Sequence, residues 1–322
     1  MPLLFLLVGV SSIALALNIG ANNTAAEMGP AYGAGVRTRR QVVWLIAIFC
    51  PIGAIAAGGR VLHTMGHGLI GSGTLAANTL GVLVVVLSAL AMIGLANALR
   101  LPLSTAHVVA GSTVGLGLFY HSANLPLVAV MVVWWVATPL ASFIISYLAG
   151  RLLYPRLIKW IGTLKCERLV HRGIIWCITA SGCWMAFSAG SNSLAKALGP
   201  AVGAGVFSPI AGAVAGGLAM AAGAVLLGAR TLQTVGKEIH DICPLCAILV
   251  EVTSASIIFV ASRFGIPVSL TEIVTCSVIG FSWAANGTRK TSRNPHLRRI
   301  LVFWPTAPVA AGAITFGLLA IR

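Results

Sequence analysis

Apolar residues dominate ten stretches of the chain, near 2–36, 41–59, 75–99, 106–122, 125–150, 173–206, 207–228, 243–262, 268–288 and 300–321. Each is long enough for a helix that crosses or enters a bilayer, and short polar or basic segments separate them. The first nineteen residues carry an "ALA" after an apolar stretch, as a signal peptide would, but lack a basic leader. They are read as the start of a membrane helix. Two of the stretches are interrupted by polar and glycine-rich sequence: "IGANNTAAEMGPAYGAGV" at 19–36 and "AGSNSLAKALGPAVGAGV" at 189–206.

These interruptions repeat one another. At a constant offset of 170, ten of seventeen positions agree: Gly20, Asn22, Ala25, Gly29, Pro30, Ala31, Gly33, Ala34, Gly35 and Val36. "GGRVLHTMG" and "GARTLQTVG" follow at the same offset, and "LPLSTAHVVAGSTVG" pairs with "IPVSLTEIVTCSVIG" at an offset of 165. Order and spacing kept over three blocks make the chain an internal duplication. About five crossings per half is an odd number, which sets the halves in opposite orientations. The predicted fold is all-α and integral to the membrane: two inverted-topology repeats, 1–150 and 173–322, with broken helices and re-entrant segments, joined by a basic linker at 151–172.

Composition and charge agree. The chain has 322 residues, 58% hydrophobic and 8% charged, with a mean hydropathy of +0.97. So apolar a composition describes a polytopic membrane protein. The net charge of +15 clusters between apolar runs, so nucleic-acid binding is not expected. With both termini outside, the inner loops hold 17 basic residues and the outer loops 3. The positive-inside rule therefore orients the chain, expected in a cell inner membrane with its N- and C-termini outward.

Matched polar interruptions in two halves point to a transport site. A helix broken in the membrane exposes N–H groups and positive dipole ends, which suit anions. Breaks are thus expected near 20–24 and 190–194. Close helix packing explains the "GAG" triplets but not Asn22 and Asn192, whose amides need partners in hydrocarbon. Cys243 and Cys246, in "CPLC", are the one C-x-x-C pair among seven cysteines, and a membrane thiol oxidoreductase is a distant alternative. No catalytic residues, cofactor or metal are expected, and the chain is not read as an enzyme.

"GANNTAAEMGPAYGAG" and "GSNSLAKALGPAVGAG" resemble the duplicated G-A-N-D-x-x-N signature of the inorganic phosphate transporter (PiT) family. "PLSTAH" (102–107) and "PVSLTE" (267–272) resemble its P-x-S-T-T-H stretch, with His107 at the motif His and Glu272 as its counterpart. The resemblance implies an inverted-repeat secondary transporter, dimeric, with oxyanion ligands from both signatures and both Ser/Thr stretches. The family's motif Asp is Asn23 and Ser193 here, and its later Asn is Ala26 and Lys196. Those family residues help to build sodium sites, so Lys196 puts sodium coupling in doubt.

The substrate reading follows from donor chemistry. Phosphate keeps O–H groups that want acceptors, whereas sulfate only accepts and suits amides, hydroxyls and a cation. Asn22, Asn23, Ser104, Thr105, Asn192, Ser193 and Ser269 supply donors, and Lys196 supplies charge. Sulfate ranks above phosphate, and the chain resembles the sulfate-permease branch of the family. Thiosulfate and molybdate share the donor geometry, and sodium- or proton-coupled phosphate symport is the near alternative. Moving a dianion against 100 mV costs about 4.6 kcal/mol, so import needs a coupled cation. Protons are expected, with Glu27 and Glu272 as carriers, or Glu27 held in a permanent ion pair with an arginine such as Arg37. Glu251 reads equally as a buried structural acid. Ser104, Thr105 and Ser269 have the rival reading of bonding their own helix backbone.

Overall fold

The computed structural model describes residues 2–71, 73–98, 103–164, 166–228, 243–287 and 295–321. Arg100, Pro102, the "ARTLQTVG" portion of the second repeat block with Lys237, and the basic segment 289–294 lie outside the described residues. All ten apolar stretches are helical. They are α1 (Pro2–Gly33), α2 (Arg39–Ala57), α3 (Thr79–Ala98), α4 (Thr105–Phe119), α5 (Leu125–Leu148), α6 (Glu167–Gly203), α7 (Pro209–Gly223), α8 (Pro244–Arg263), α9 (Leu270–Asn286) and α10 (Pro295–Ala320). Among the described residues seven helical segments are long and apolar enough to cross a membrane, and α4, α9 and part of α10 are shorter apolar helices.

Local chemistry sets the boundaries. Gly35 (φ 69°) and Gly205 (φ 75°) turn the chain after α1 and α6 in the left-handed region that glycine tolerates best. Thr38 and Ser208 then cap α2 and α7, accepting from the N–H groups of Gln41 and Ala211. Residues 151–172 are largely helical: a wide turn at Ala149–Leu153 leads into an exposed helix, Tyr154–Gly162, and α6 begins at Glu167.

Packing is reciprocal between the halves. α1 packs on α6 and α7, and α2 on the same two helices. α4 lies along α10 while α9 lies along α5, and α3 touches α1 and α4 as α8 touches α6 and α9. The closest approaches obey the repeat residue by residue. A Cβ added at Gly20 would lie 2.1 Å from the Met220 carbonyl oxygen, and one at Gly190 would lie 1.9 Å from that of Cys50. Gly53 against Phe187 and Gly223 against Leu17 form the next such pair, both at 1.9 Å. All four combinations map onto each other at the offset of 170. Small residues here let backbones touch where lipid offers no hydrophobic drive for association.

The expected breaks at 20–24 and 190–194 are not there. Helix α1 runs through Asn22 and Asn23, and α6 runs unbroken from Glu167 to Gly203. The one non-helical residue inside α1 is Met28 (φ −138°, ψ 18°), two positions before Pro30, whose ring removes a backbone donor. The amides do not need a broken backbone, because Asn192 and Asn23 find partners on other segments. The helix ends buried at this level are instead the N-termini of α4 and α9, opened by Ser104 and Ser269.

Candidate functional site

Helices α1, α4, α6 and α9 bring most of the expected residues into one buried polar centre. Ser104 (φ −79°, ψ 115°) and Ser269 (φ −89°, ψ 113°) have matching extended backbones, and each hydroxyl accepts at 3.4 Å from the N–H three residues on, that of His107 or Glu272. These caps leave the remaining first-turn N–H groups of two helices directed into the interior. Thr105, His107 and Glu272 are all buried beside them.

Asn23 and Ser193 are counterparts in the repeat and bond each other, Asn23 Nδ2 donating to Ser193 Oγ at 2.9 Å. One turn after Asn192 stands Lys196, wholly buried, its Nζ donating to the Val268 carbonyl at 2.7 Å and to Ser193 Oγ at 3.4 Å. Among the described residues no carboxylate lies within ion-pair distance of the ammonium. Glu27 is also wholly buried, and neither of its carboxylate oxygens has a hydrogen-bond partner. An acid so placed is stabilised by the ammonium or by a proton, since a lone buried carboxylate is costly. The expected alternative, a pair with Arg37, is not formed: Arg37 Nε donates to Thr179 Oγ1 at 2.9 Å and its guanidinium lies over Trp176.

A second pair of counterparts meets close by. His107 Nδ1 lies 3.3 Å from Glu272 Oε1, the one approach of a basic and an acidic side chain within 4 Å among the described residues, though too poorly directed to be a hydrogen bond. The Trp135 ring packs on His107 with centroids 4.2 Å apart, and its Nε1 donates to the Pro267 carbonyl at 2.8 Å. Nothing in "VVWWVA" marks Trp135 for this role.

Two of the expected ligands are placed differently. Asn192 is fully engaged with the turn before α9: Nδ2 donates to Ser262 Oγ and the Ile266 carbonyl, both at 3.0 Å, and Oδ1 accepts from Val268 N at 2.9 Å. Asn22 is partly exposed and makes no side-chain hydrogen bond among the described residues. Glu251 accepts from Ser181 Oγ, the partner expected of a buried structural acid. Cys243 and Cys246 are disulfide-bonded at the start of α8, where a separate small cluster gathers Val250, Phe281 and Tyr154.

A sequence profile of the phosphate transporter family matches residues 19–315. The chain belongs to the phosphate transporter family. It is 34% identical to the sulfate permease CysP of Bacillus subtilis over 96% of this chain and 86% of that protein. To the chloroplastic inorganic phosphate transporter 2-1 of Arabidopsis thaliana it is 25% identical, over 92% of this chain and 68% of that one. Among solved structures, a sodium-dependent phosphate transporter has the same fold, with a TM-score of 0.83 and 22% identity over 99% of this chain and 100% of the other. Family membership and the apolar helices make this a multi-pass membrane transporter, not an enzyme.

Proposed function

We propose that this family member imports sulfate by proton symport. Inorganic-anion transport follows from the family and its named relatives, which include both a sulfate permease and phosphate transporters. The choice of sulfate rests on one observation above the rest: the buried ammonium of Lys196 joined to Ser193, itself bonded by Asn23. A cation, an amide and a hydroxyl form a donor-rich centre suited to an anion that only accepts. The first-turn N–H groups of α4 and α9, with Thr105, add donors; Asn22 is partly exposed. Asn192 acts through the turn it holds. Glu27, without a hydrogen-bond partner, and Glu272, beside His107, are the proton carriers in this reading.

The transport cycle uses the two halves, 1–150 and 173–322 about the 151–172 connection, as an inverted pair working against each other in a cell inner membrane, termini outward. The reciprocal glycine contacts support this pairing, and the protein works as a homodimer in lipid. The test is uptake of labelled sulfate into proteoliposomes under an imposed pH gradient without Na⁺, in competition with phosphate. Proton-driven sulfate uptake that phosphate inhibits weakly is the expected result. Uptake driven by a sodium gradient alone, or a preference for phosphate, overturns the proposal.

A further inference from the structure

Glu251 of α8 is a third buried acid, away from the centre around Lys196. It is 2% exposed; one carboxylate oxygen accepts from Ser181 Oγ of α6, while the other, Oε1, is buried without a hydrogen-bond partner. A purely structural acid would have both oxygens satisfied, since a buried polar group left unpaired is costly. The first half shows that packing alone does not ask for it. Helices α3 (Thr79–Ala98) and α8 (Pro244–Arg263) match end to end at the offset of 165, which sets Val86 opposite Glu251 and Ala89 opposite Ser254 as counterparts. Both of those first-half residues are buried, so apolar side chains fill the equivalent positions.

The surroundings of Glu251 form a row of unpartnered polar atoms. The bonds Ser181–Glu251 and Asn192–Ser262 each join residues 70 apart, so α6 and α8 run parallel in fixed register. Between those two bonds lie Ser254 of α8 and Ser188 of α6, wholly buried, each with a hydroxyl that has no partner. Helix α1 closes the third side. A Cβ added at Gly182, next to Ser181, would lie 2.6 Å from Cε of Met28, which follows Glu27, and the Ala31 backbone is also beside the Glu251 carboxyl. Glu27, Ser188, Ser254 and Glu251 thus present five buried oxygens without partners on three packed helices. Successive levels are about one turn apart, about 5.4 Å of rise, which is twice an O–H···O distance of about 2.7 Å, so one water joins each step. Of the other ionisable groups on the elements packed against α8, Arg37 is held by Thr179, two residues before Ser181, and Cys183 stands two residues after it. Lys196, Glu272 and Cys276 belong to the level of the centre, Arg60, His63 and Arg263 to the far end of α8, and Tyr147, Arg151 and Tyr154 to the region where α5 ends.

We propose that Glu251 is the inner proton-release site of the transport cycle, fed from Glu27 through waters held on Ser188 and Ser254. The inference rests on reading the protein as a proton symporter with both termini outward. In that orientation α8 begins at the cytoplasmic face, seven residues or about 10 Å before Glu251. The carboxyl of Glu27 gives its proton to the first water as the last water gives one to the Glu251 carboxylate, which then releases it inward. One acid loses the charge that the other gains, and no further reactant is needed. Buried acids in series are the usual parts of a proton relay through a membrane protein. Because the inverted first half carries Val86 and Ala89 instead, the relay serves the inner face alone.

The test uses the full-length protein in membrane vesicles of known sidedness, comparing wild type with Glu251→Gln, which keeps an acceptor for Ser181. Sulfate uptake driven by an imposed pH gradient should fall by about 100-fold in the variant, while sulfate counterflow exchange, which needs no proton release, continues at the wild-type rate. Wild-type uptake should slow as internal pH is lowered; the residual uptake of Glu251→Gln should no longer respond to internal pH, and Glu251→Asp should regain the response. Equal loss of driven uptake and exchange would make Glu251 a structural acid and overturn the assignment. Should Glu251→Gln fail to fold, the double variant Ser188→Ala with Ser254→Ala, which strands no partner, is the readout: a selective loss of driven uptake is expected, and wild-type uptake overturns the route. A wild type that no pH gradient drives overturns the symport reading and this inference with it, whereas a proton-driven wild type with an indifferent Glu251→Gln overturns this inference alone.

Discussion

Replacing Asn192 with alanine removes three hydrogen bonds at once and strands the groups that made them. The Val268 N–H and the Ile266 carbonyl lose their side-chain partner, at 2.9 Å and 3.0 Å, in a part of the protein closed to water. A buried backbone group left unsatisfied costs about 1–3 kcal/mol, so the two together cost about 2–4 kcal/mol once the turn has partly relaxed. At about 2 °C per kcal/mol for a chain of this size, the unfolding midpoint in detergent falls by about 4–8 °C. The functional effect is indirect. Val268 also receives the Lys196 ammonium, and Ser269, the next residue, caps α9. Loosening the turn therefore disturbs the ammonium and the α9 N-terminus together, and maximal uptake falls more than apparent sulfate affinity does. Asn192→Asp, which keeps the acceptor for Val268 N, recovers part of the stability but not the donors to Ser262 and Ile266. If Asn192→Ala unfolds within about 1 °C of wild type while only sulfate affinity weakens, Asn192 is a direct ligand and the positioning role is wrong.

Gly190→Ala drives a methyl group into the Cys50 carbonyl at 1.9 Å, so α6 and α2 must part by about 1.4 Å to reach an ordinary C–H···O distance of about 3.3 Å. A loss of about 1–3 kcal/mol is expected, matched by Gly20→Ala, while Gly317→Ala, with open space around it, serves as the unaffected control in the same thermal assay. Glu27→Gln and Glu272→Gln should each abolish uptake driven by a pH gradient while leaving counterflow exchange of sulfate largely in place, measured in one proteoliposome preparation. With the other free cysteines replaced, exposed Cys166, in the basic connection, should react with an impermeant maleimide only after cells are permeabilised; labelling of intact cells would reverse the assigned orientation.

The positions of the ten helices were legible because lipid demands long apolar runs and backbone hydrogen bonds made within each segment. Two residues that the sequence repeat sets in register, Asn23 and Ser193, bond each other across 170 residues. The helix breaks were misplaced for a definite reason. An amide in hydrocarbon needs a partner, but sequence does not show whether that partner is a freed backbone group or a side chain from a distant segment. For Asn192 it is Ser262 and the 266–268 turn, more than sixty residues away. Trp135, holding Pro267 and packing on His107, lay beyond reach for the same reason, since its neighbours are set by how the halves dock.

The two halves diverge most where counterparts meet. Reciprocal packing brings residues of equal rank face to face, as with Asn23 and Ser193 or His107 and Glu272. In a perfectly repeated chain those contacts would join identical side chains. Two carboxylates about 4 Å apart in partly dry surroundings repel by about 4 kcal/mol, and two ammonium groups do the same. A duplicated membrane protein that places one charged residue at such a position in both halves therefore needs a counter-ion between the two or loses stability. Here the conflict is resolved by complementary choices: histidine faces glutamate, amide faces hydroxyl, and Lys196 and Glu27 each have alanine as counterpart in the other half. The resulting asymmetry leaves the buried ammonium of Lys196 and the buried carboxyl groups of Glu27 and Glu272 each without a like-charged counterpart in the other half, so the chain keeps charge in its interior without the repulsion that exact duplication would impose.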